Sequence, residues 1–436
     1  MASVDTRPIR TIAWESTLWG TQPHWTCEPC LEAIEQIARQ HLEIPSTSSC
    51  AVALFAQGGF NKIYIVDSDA PRCTYLLRVS LPVEPQLKTL SEVATIAFVA
   101  EHSGYLTLLP IVLAYEANRE APGNSLGFEW MLMSKLPGSV LDGRWASLTL
   151  STKERLVKTL VAFLANLFNH TLSGIGNIYP HDYAASSAST PPVVGPIVSM
   201  TFFWNKHYEQ NVPRGPFNSS HAWLSTCLTF VLDDAAETLR TSDDEDDLEE
   251  AESTQSVAER LARLLPRVFS PFVDKPERTV LHHDDLSFHN LLVDDAGQLS
   301  GIVDWECVST LPLWRTCQLP SFLVGPCRAE QPARKGYMDD EGGVELYHEH
   351  LRQWEQTHLR TVFFAEMDTV CPAWMHEHRA SMLREDLYTA IQYCDNEISR
   401  TLVRRWSDRV EGMAEEQMRD IRSSAYESLT TQLKQS

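Results

Sequence analysis

No stretch of this 436-residue chain is apolar for long enough to span a bilayer. The longest apolar run lies near Leu160–Phe168, far short of the roughly 20 residues a spanning helix needs. Positive charge is scarce: 36 Lys and Arg stand against 58 Asp and Glu, a formal net charge of −22. That balance argues against nucleic acid or an anionic membrane as a partner. It is compatible with a cationic small molecule but does not demonstrate one. The first residues, Met1-Ala2-Ser3-Val4-Asp5, lack the charged-then-apolar pattern of a secretory signal. Arg7 and Arg10 would suit a mitochondrial presequence, whereas Asp5 and Glu15 would not. The expected location is cytoplasmic, with a mitochondrial one left open. The ten cysteines form no framework. Cys27-x-x-Cys30 has no second pair at zinc-ligand spacing, and it precedes a predicted helix, Leu31–Leu42, not a strand–helix redox unit. The others read as scattered buried thiols of a reducing compartment. There is no internal repeat and no low-complexity linker. A hydrophobic content of 43% and twelve Trp support a sizeable core, for one large two-lobed unit or two to three domains.

What is present concentrates in one stretch. Leu281-His282-His283-Asp284-Asp285-Leu286-Ser287-Phe288-His289-Asn290 reads His-x-Asp-x4-Asn, and Asp304 follows fourteen residues later. Between them, Leu291–Val293 and Leu299–Val303 are short apolar runs around the turn signal Asp294-Asp295-Ala296-Gly297, the pattern of a β-hairpin. A hairpin brings its ends together, so Asn290 is expected close to Asp304. An amide oxygen and a carboxylate then converge as hard oxygen ligands, few in number, which suits Mg²⁺ completed by phosphate and water. Asp285, in the same loop, is left to face an acceptor hydroxyl. Protein kinases divide labour in this way. His283 is expected to brace the loop backbone; His282 and His289 read as local hydrogen-bonders.

The stretch resembles the aminoglycoside phosphotransferase and choline-kinase-like family, whose loop reads His-Gly-Asp-x4-Asn. Asp284 stands where the family usually has Gly. The run Leu281–Leu323, with Asp304-Trp305-Glu306-Cys307-Val308-Ser309 and Pro312-Leu313-Trp314, is most similar to fungal phosphotransferase-family proteins, in which the His-Asp-Asp form is usual. The resemblance spans roughly residues 45 to 330. It implies an α+β, two-lobed, protein-kinase-like fold with a small β-rich N-lobe and a large, mostly helical C-lobe. It implies ATP as donor, a small-molecule hydroxyl as acceptor, and Asp285 as catalytic base.

A small lobe should lie upstream. Val52–Phe55 and Ile63–Val66 flank Gly58-Gly59-Phe60, a strand, Gly-rich turn and strand that could approach phosphates through backbone N–H groups. A plain hairpin turn gives the same pattern. Tyr75–Val79 reads as a third strand carrying Arg78, with Glu92 on the following helical segment as its partner. This is the place of the kinase Lys–Glu pair, with a cation that binds phosphate bidentately. Phe128–Met133 is another strand. In the resembled fold it leads to the hinge, where Ser134 and Leu136 are candidates to read adenine.

The expected organisation is an N-terminal helical extension over 1–45, the nucleotide-covering lobe over 46–136, and the helical lobe over 137–436, with its catalytic loop at 281–306. Ser151-Thr152-Lys153-Glu154 fits a capping box opening a long helix. Pro191–Pro216 reads as an ordered excursion, and 344–435 as three or four amphipathic helices. Residues 242–252 hold eight acids, and such a block is expected to be an exposed, solvated loop. Three function classes follow: a small-molecule kinase, an inactive nucleotide-binding scaffold, and a protein kinase. The intact Asp285–Asn290–Asp304 set weighs against the second. Trp305-Glu306, in place of Phe-Gly after the metal Asp, weighs against the third.

Overall fold

The computed structural model describes residues 12–17, 20–69, 72–181, 192–338, 341–419, 421 and 426–435. Met1–Asp5, Arg7, Arg10 and Pro191 lie outside them. The chain opens with a hairpin, β1 (Ile12–Thr17) and β2 (Gly20–Trp25), and then α1 (Leu31–His41). The segment before residue 45 is therefore half strand and not purely helical. Alternating bulky residues (Ile12, Trp14, Trp25) explain the pairing: they pack on Val198 and Phe203.

The small lobe is an antiparallel sheet ordered β3-β4-β5-β7-β6: β3 (Cys50–Gln57), β4 (Asn61–Asp69), β5 (Arg72–Ser80), β6 (Val112–Glu116) and β7 (Glu129–Ser134). Helix α2 (Leu87–His102) joins β5 to β6. Successive residues of β7 face opposite ways, as strand geometry requires. Trp130 and Leu132 pack with Tyr64, Val66, Leu77 and Val79 against Ile34 and Ile37 of α1. Met131 and Met133 pack with Ile96, Phe98 and Val99 of α2. The sheet thus lies between two helices, and α2 continues into the core of the large lobe.

The large lobe begins with β8 (Ser139–Val140), α3 (Leu141–Arg144) and α4 (Leu150–Phe168). The cap of α4 is Thr149, whose side chain accepts the Thr152 N–H at 3.3 Å. The expected Ser151–Glu154 box does not form; Glu154 pairs with His358 at 2.6 Å instead. Strands β9 (Leu172–Ser173) and β10 (Asn177–Tyr179) follow, and β11 (Val193–Gly195) and the short α5 (Met200–Phe203) lie in the excursion.

Helices α6 (Ser220–Thr241) and α7 (Glu245–Val268) pack against each other. The acidic block is therefore not a loop: all but its first residues are the first two turns of α7. Asp244 caps the helix, accepting the N–H groups of Asp246 at 2.9 Å and Asp247 at 3.3 Å. The acids of the first turn sit at the positive end of the helix dipole, which offsets their repulsion. Ala251, Thr254, Ala258, Leu261 and Leu265 then supply a buried stripe at helical spacing.

Strands β12 (Arg278–His282), β13 (Leu291–Val293), β14 (Leu299–Ile302) and β15 (Ser309–Pro312) carry the site. The chain continues through α8 (Leu313–Thr316), α9 (Glu341–Val370), α10 (Pro372–Ala380), α11 (Met382–Tyr393), α12 (Glu397–Glu411), α13 (Glu415–Arg419) and α14 (Leu429–Gln435). No helix among the described residues is long and apolar enough to cross a membrane.

Candidate active site

The expected hairpin forms, with Leu291 opposite Ile302 and Leu292 opposite Gly301. One step before that register, the Val303 N–H donates to the Asn290 carbonyl at 3.0 Å. Asn290 and Asp304 thus meet at the open end of the hairpin. The Asn290 side chain donates its Nδ2 to the Asp285 carbonyl at 2.9 Å and to Asp285 Oδ2 at 2.8 Å. Its amide oxygen therefore points away from Asp285. Ser321 Oγ donates to the other Asp285 oxygen at 3.4 Å. Asp285 is exposed and held on both sides, and Asn290 is buried.

His283 points at the backbone of the hairpin. Its Nε2 donates to the Val303 carbonyl at 3.1 Å, and its ring meets the edge of Trp305 at 4.9 Å. Burial pushes the imidazole down to about 4, against smaller upward pulls from the Val303 contact and Asp285, so it is neutral near pH 7. Asp284 is paired with Arg315 at 2.8 Å and His282 at 3.1 Å. Burial opposes its charge, but Arg315 and His282 outweigh it and hold the carboxyl well below the usual range. An acid in place of glycine is thus accommodated by its own ion pair.

On the small-lobe side, a Cβ added at Gly58 or Gly59 would meet nothing within 4 Å, so the turn lies under open space. The Gly58 N–H donates to the Asn61 carbonyl at 2.9 Å. Phe60 turns its ring into the large lobe, edge-on to Phe203 at 5.4 Å and Trp204 at 6.3 Å. Of the predicted ligand groups, Phe60 therefore offers the site only its backbone. Arg78 and Glu92 pair as expected. Nη1 donates to Oε1 at 2.6 Å, Nη2 donates to Oε2, and both residues are buried. At the hinge, the Ser134 N–H donates to the Ile111 carbonyl and its hydroxyl accepts the Ile111 N–H, both at 2.9 Å. The Leu136 N–H has no partner among the described residues. Its side chain packs so closely over Gly301 that a Cβ there would lie 2.9 Å from Leu136 Cδ1.

Three residues were missed from the sequence. Lys88, one turn before Glu92 on α2, donates to Glu306 Oε2 at 2.6 Å and to Asn61 Oδ1 at 3.2 Å. Asn61 Nδ2 donates to the same Glu306 oxygen at 2.9 Å. The helical interval between Lys88 and Glu92, which places both on one face of α2, was the available signal. Burial would raise the Glu306 carboxyl, but Lys88 and Arg78 overcome it and bring it down to about 2. Asp304, whose side chain opens to the cleft, goes the other way. Crowding by protein, then Glu306, pushes it up to about 6 against Arg78 and Lys88.

A divalent cation fits this electrostatic state. Asp304 bears an excess of negative potential, and the Asn290 oxygen is turned free of Asp285. Among the described residues no three His, Cys, Asp or Glu side chains group to hold a metal by themselves. A cation would rest on the Asn290 and Asp304 oxygens, with phosphate or water completing its shell, as Mg²⁺ accepts. Beneath the loop, a cavity of about 460 Å³ is lined by Asp284, Arg315, Ser321, Glu385 and Tyr388, among others.

A five-stranded lobe, a helical lobe and this loop-and-hairpin between them define a protein-kinase-like fold. The model of the phosphotransferase enzyme family matches residues 52–314, more than half of the chain, and the protein belongs to that family. A subtelomeric hrmA-associated cluster protein of Aspergillus fumigatus is 26% identical over 314 residues, covering 62% of this chain. The chain spans about 60% of that relative's length. Among solved structures, the gentamicin complex of APH(2")-IIa is 11% identical with a TM-score of 0.46, covering 90% of this chain and 99% of that one. Choline kinase from Cryptosporidium parvum is 14% identical with a TM-score of 0.37, covering 88% and 100%.

Proposed function

We propose that the protein transfers the γ-phosphate of ATP to a hydroxyl of a small molecule. The observation that carries this reading is the Asn290 side chain. It is bonded through nitrogen to Asp285, while its backbone is bonded to the residue preceding Asp304. One residue thereby separates an acceptor-facing carboxylate from a metal-facing one. Asp285, fixed by Asn290 and Ser321, accepts or orients the acceptor's proton. Asn290 and Asp304 hold Mg²⁺, which when bound neutralises phosphate charge. The turn at Gly58 and Gly59 offers N–H groups to the phosphates. Arg78 adds positive potential behind them. The Ser134 carbonyl and the Leu136 N–H face the base. His283 holds Val303 and acts through position, not proton transfer. The acceptor enters from the large lobe, beside the cavity under the loop.

The test is a thermal-shift titration with ATP in Mg²⁺ and in excess chelator, followed by ADP release with a panel of hydroxylated metabolites. Ligand binding to the native state raises the melting temperature by mass action. An ATP shift that is identical in Mg²⁺ and in chelator overturns the metal assignment. Absence of any ATP shift overturns the reading itself.

A further inference from the structure

We propose that Lys88 is a positioning residue for the metal-binding segment: from the first turn of α2 it fixes Glu306, and through Glu306 the setting of Asp304. The inference rests on the phosphotransfer reading above. Lys88 is 1% exposed, although lysine is among the side chains least often buried. Its ammonium reaches across the lobe boundary to Glu306, in the large lobe. The same Glu306 oxygen receives Asn61 Nδ2, and Asn61 Oδ1 in turn accepts from Lys88 and from Ser80 Oγ at 2.8 Å. One carboxylate oxygen is thus gripped twice from the small lobe.

The cation at the expected position does a different job. Both Arg78 η nitrogens are committed to Glu92, so Arg78 ties the sheet to α2 within the small lobe. Helix α2 carries two charged residues four apart, with Glu92 turned to its own lobe and Lys88 turned to the other. The segment that Lys88 reaches needs holding. Asp304 has φ 65° and Cys307 has φ 58°, left-handed conformations that L side chains resist. From the large lobe, His283 holds the Val303 carbonyl and Trp305 Nε1 holds the Ile302 carbonyl at 2.9 Å. From the small lobe, the grip on Glu306 is the one side-chain tie to residues 304–306 among the described residues. Asn61 also accepts the Gly58 N–H through its carbonyl, so the phosphate turn and the Asp304 segment share a node.

The test is the Mg²⁺ dependence of ATP binding, read by thermal shift, in wild type, K88R, K88M, E306L and the double variant K88M/E306L. K88M should raise the Mg²⁺ concentration for half-maximal shift at least tenfold while leaving the shift in chelator in place. K88R should recover most of the loss. Either single apolar variant leaves a buried charge unpaired and should lower the melting temperature. The double variant removes both charges and should regain it, because an apolar replacement of a buried pair is close to neutral. Its metal requirement should stay raised. A double variant that regains both stability and the wild-type metal requirement makes the pair merely structural and overturns the inference. So does a K88M protein with wild-type metal dependence. If wild type shows an ATP shift that does not depend on metal, the metal assignment has failed and the inference falls with it; if it shows no ATP shift at all, the phosphotransfer reading itself has failed.

Discussion

Asp285 and Asn290 share a hydrogen bond of fixed polarity. The amide nitrogen can only donate, so the carboxylate accepts, and the amide oxygen is left for another ligand. Asp285→Asn should therefore keep the fold and the ATP-dependent thermal shift while lowering turnover by about 10²–10⁴-fold, the usual weight of a general base. Turnover within a few-fold of wild type would move the base elsewhere. His283 gives a second test at this scale. Its folded-state value of about 4 lies below the ordinary 6.5, so the native state binds the proton less readily than the unfolded one. The stability this contributes is complete above pH 6.5 and is lost as pH falls toward 4. Between pH 7.5 and 5 the loss amounts to at most about 2 kcal/mol, at about 1.4 kcal/mol per pH unit below 6.5. His283→Gln should lack that slope, so melting curves of wild type and variant should converge toward pH 5. Parallel curves would place His283 in water. The backbone-bracing role was legible from a histidine two residues before the loop Asp. Its partner was not, because Val303 lies twenty residues away and only the hairpin register brings it back.

Strands and helices differed in how openly they were written. The hairpin was plain, because a turn signal between two apolar runs needs no distant information. Helix α7 was hidden by charge. A block of like charges normally stays solvated, but here the cap at Asp244, the dipole and the buried stripe after Ala251 override it. The block also has a partner that sequence spacing does not show: Glu250 meets Arg400 of α12, which is 5% exposed. Arg400 Nη1 additionally donates to Ser253 Oγ at 3.0 Å. Deleting Asp243–Glu252 should therefore lower the melting temperature by more than about 5 °C. It removes a cap worth about 1 kcal/mol and strands a buried guanidinium, a loss of about 3 kcal/mol or more when the partner is deleted outright. The milder Glu249→Gln should stay within about 0.5 kcal/mol of wild type, as surface substitutions do. A deletion that melts with wild type would return the block to the solvated loop its composition suggests.

At the scale of the whole molecule, the two lobes are joined on more than the hinge side. Arg214, in the excursion after β11, reaches Glu84 of the small lobe at 3.1 Å. Trp14 stacks on Tyr208 at 4.8 Å, and the Thr21 N–H donates to Asn205 Oδ1 at 3.0 Å. Phe60, at the tip of the Gly58-Gly59 turn, seats against Phe203 and Trp204. The division into a β-rich and a helical lobe was readable from where the strand and helix patterns fall. This second seam was not, since it joins residues near 14, 60, 84 and 205 whose local patterns say only aromatic or charged. The seam makes the turn a stapled element and not a free flap. Phe60→Ala should release it. The variant loses an aromatic contact of about 0.5–1.5 kcal/mol beyond the area it buries, so the fold should survive. Hydrogen exchange is the direct measurement. The Gly58 amide, bonded to the Asn61 carbonyl, should exchange at least tenfold faster in the variant, because local opening of that turn no longer breaks the contact with Phe203. The Ser134 amide, bonded to Ile111 on the far side of the lobe, should keep its wild-type rate and serve as the internal control. Equal acceleration at both places would mean that Phe60 supports the small lobe as a whole. No change at Gly58 would mean that the turn is held by its own hairpin bond from Gly58 to Asn61.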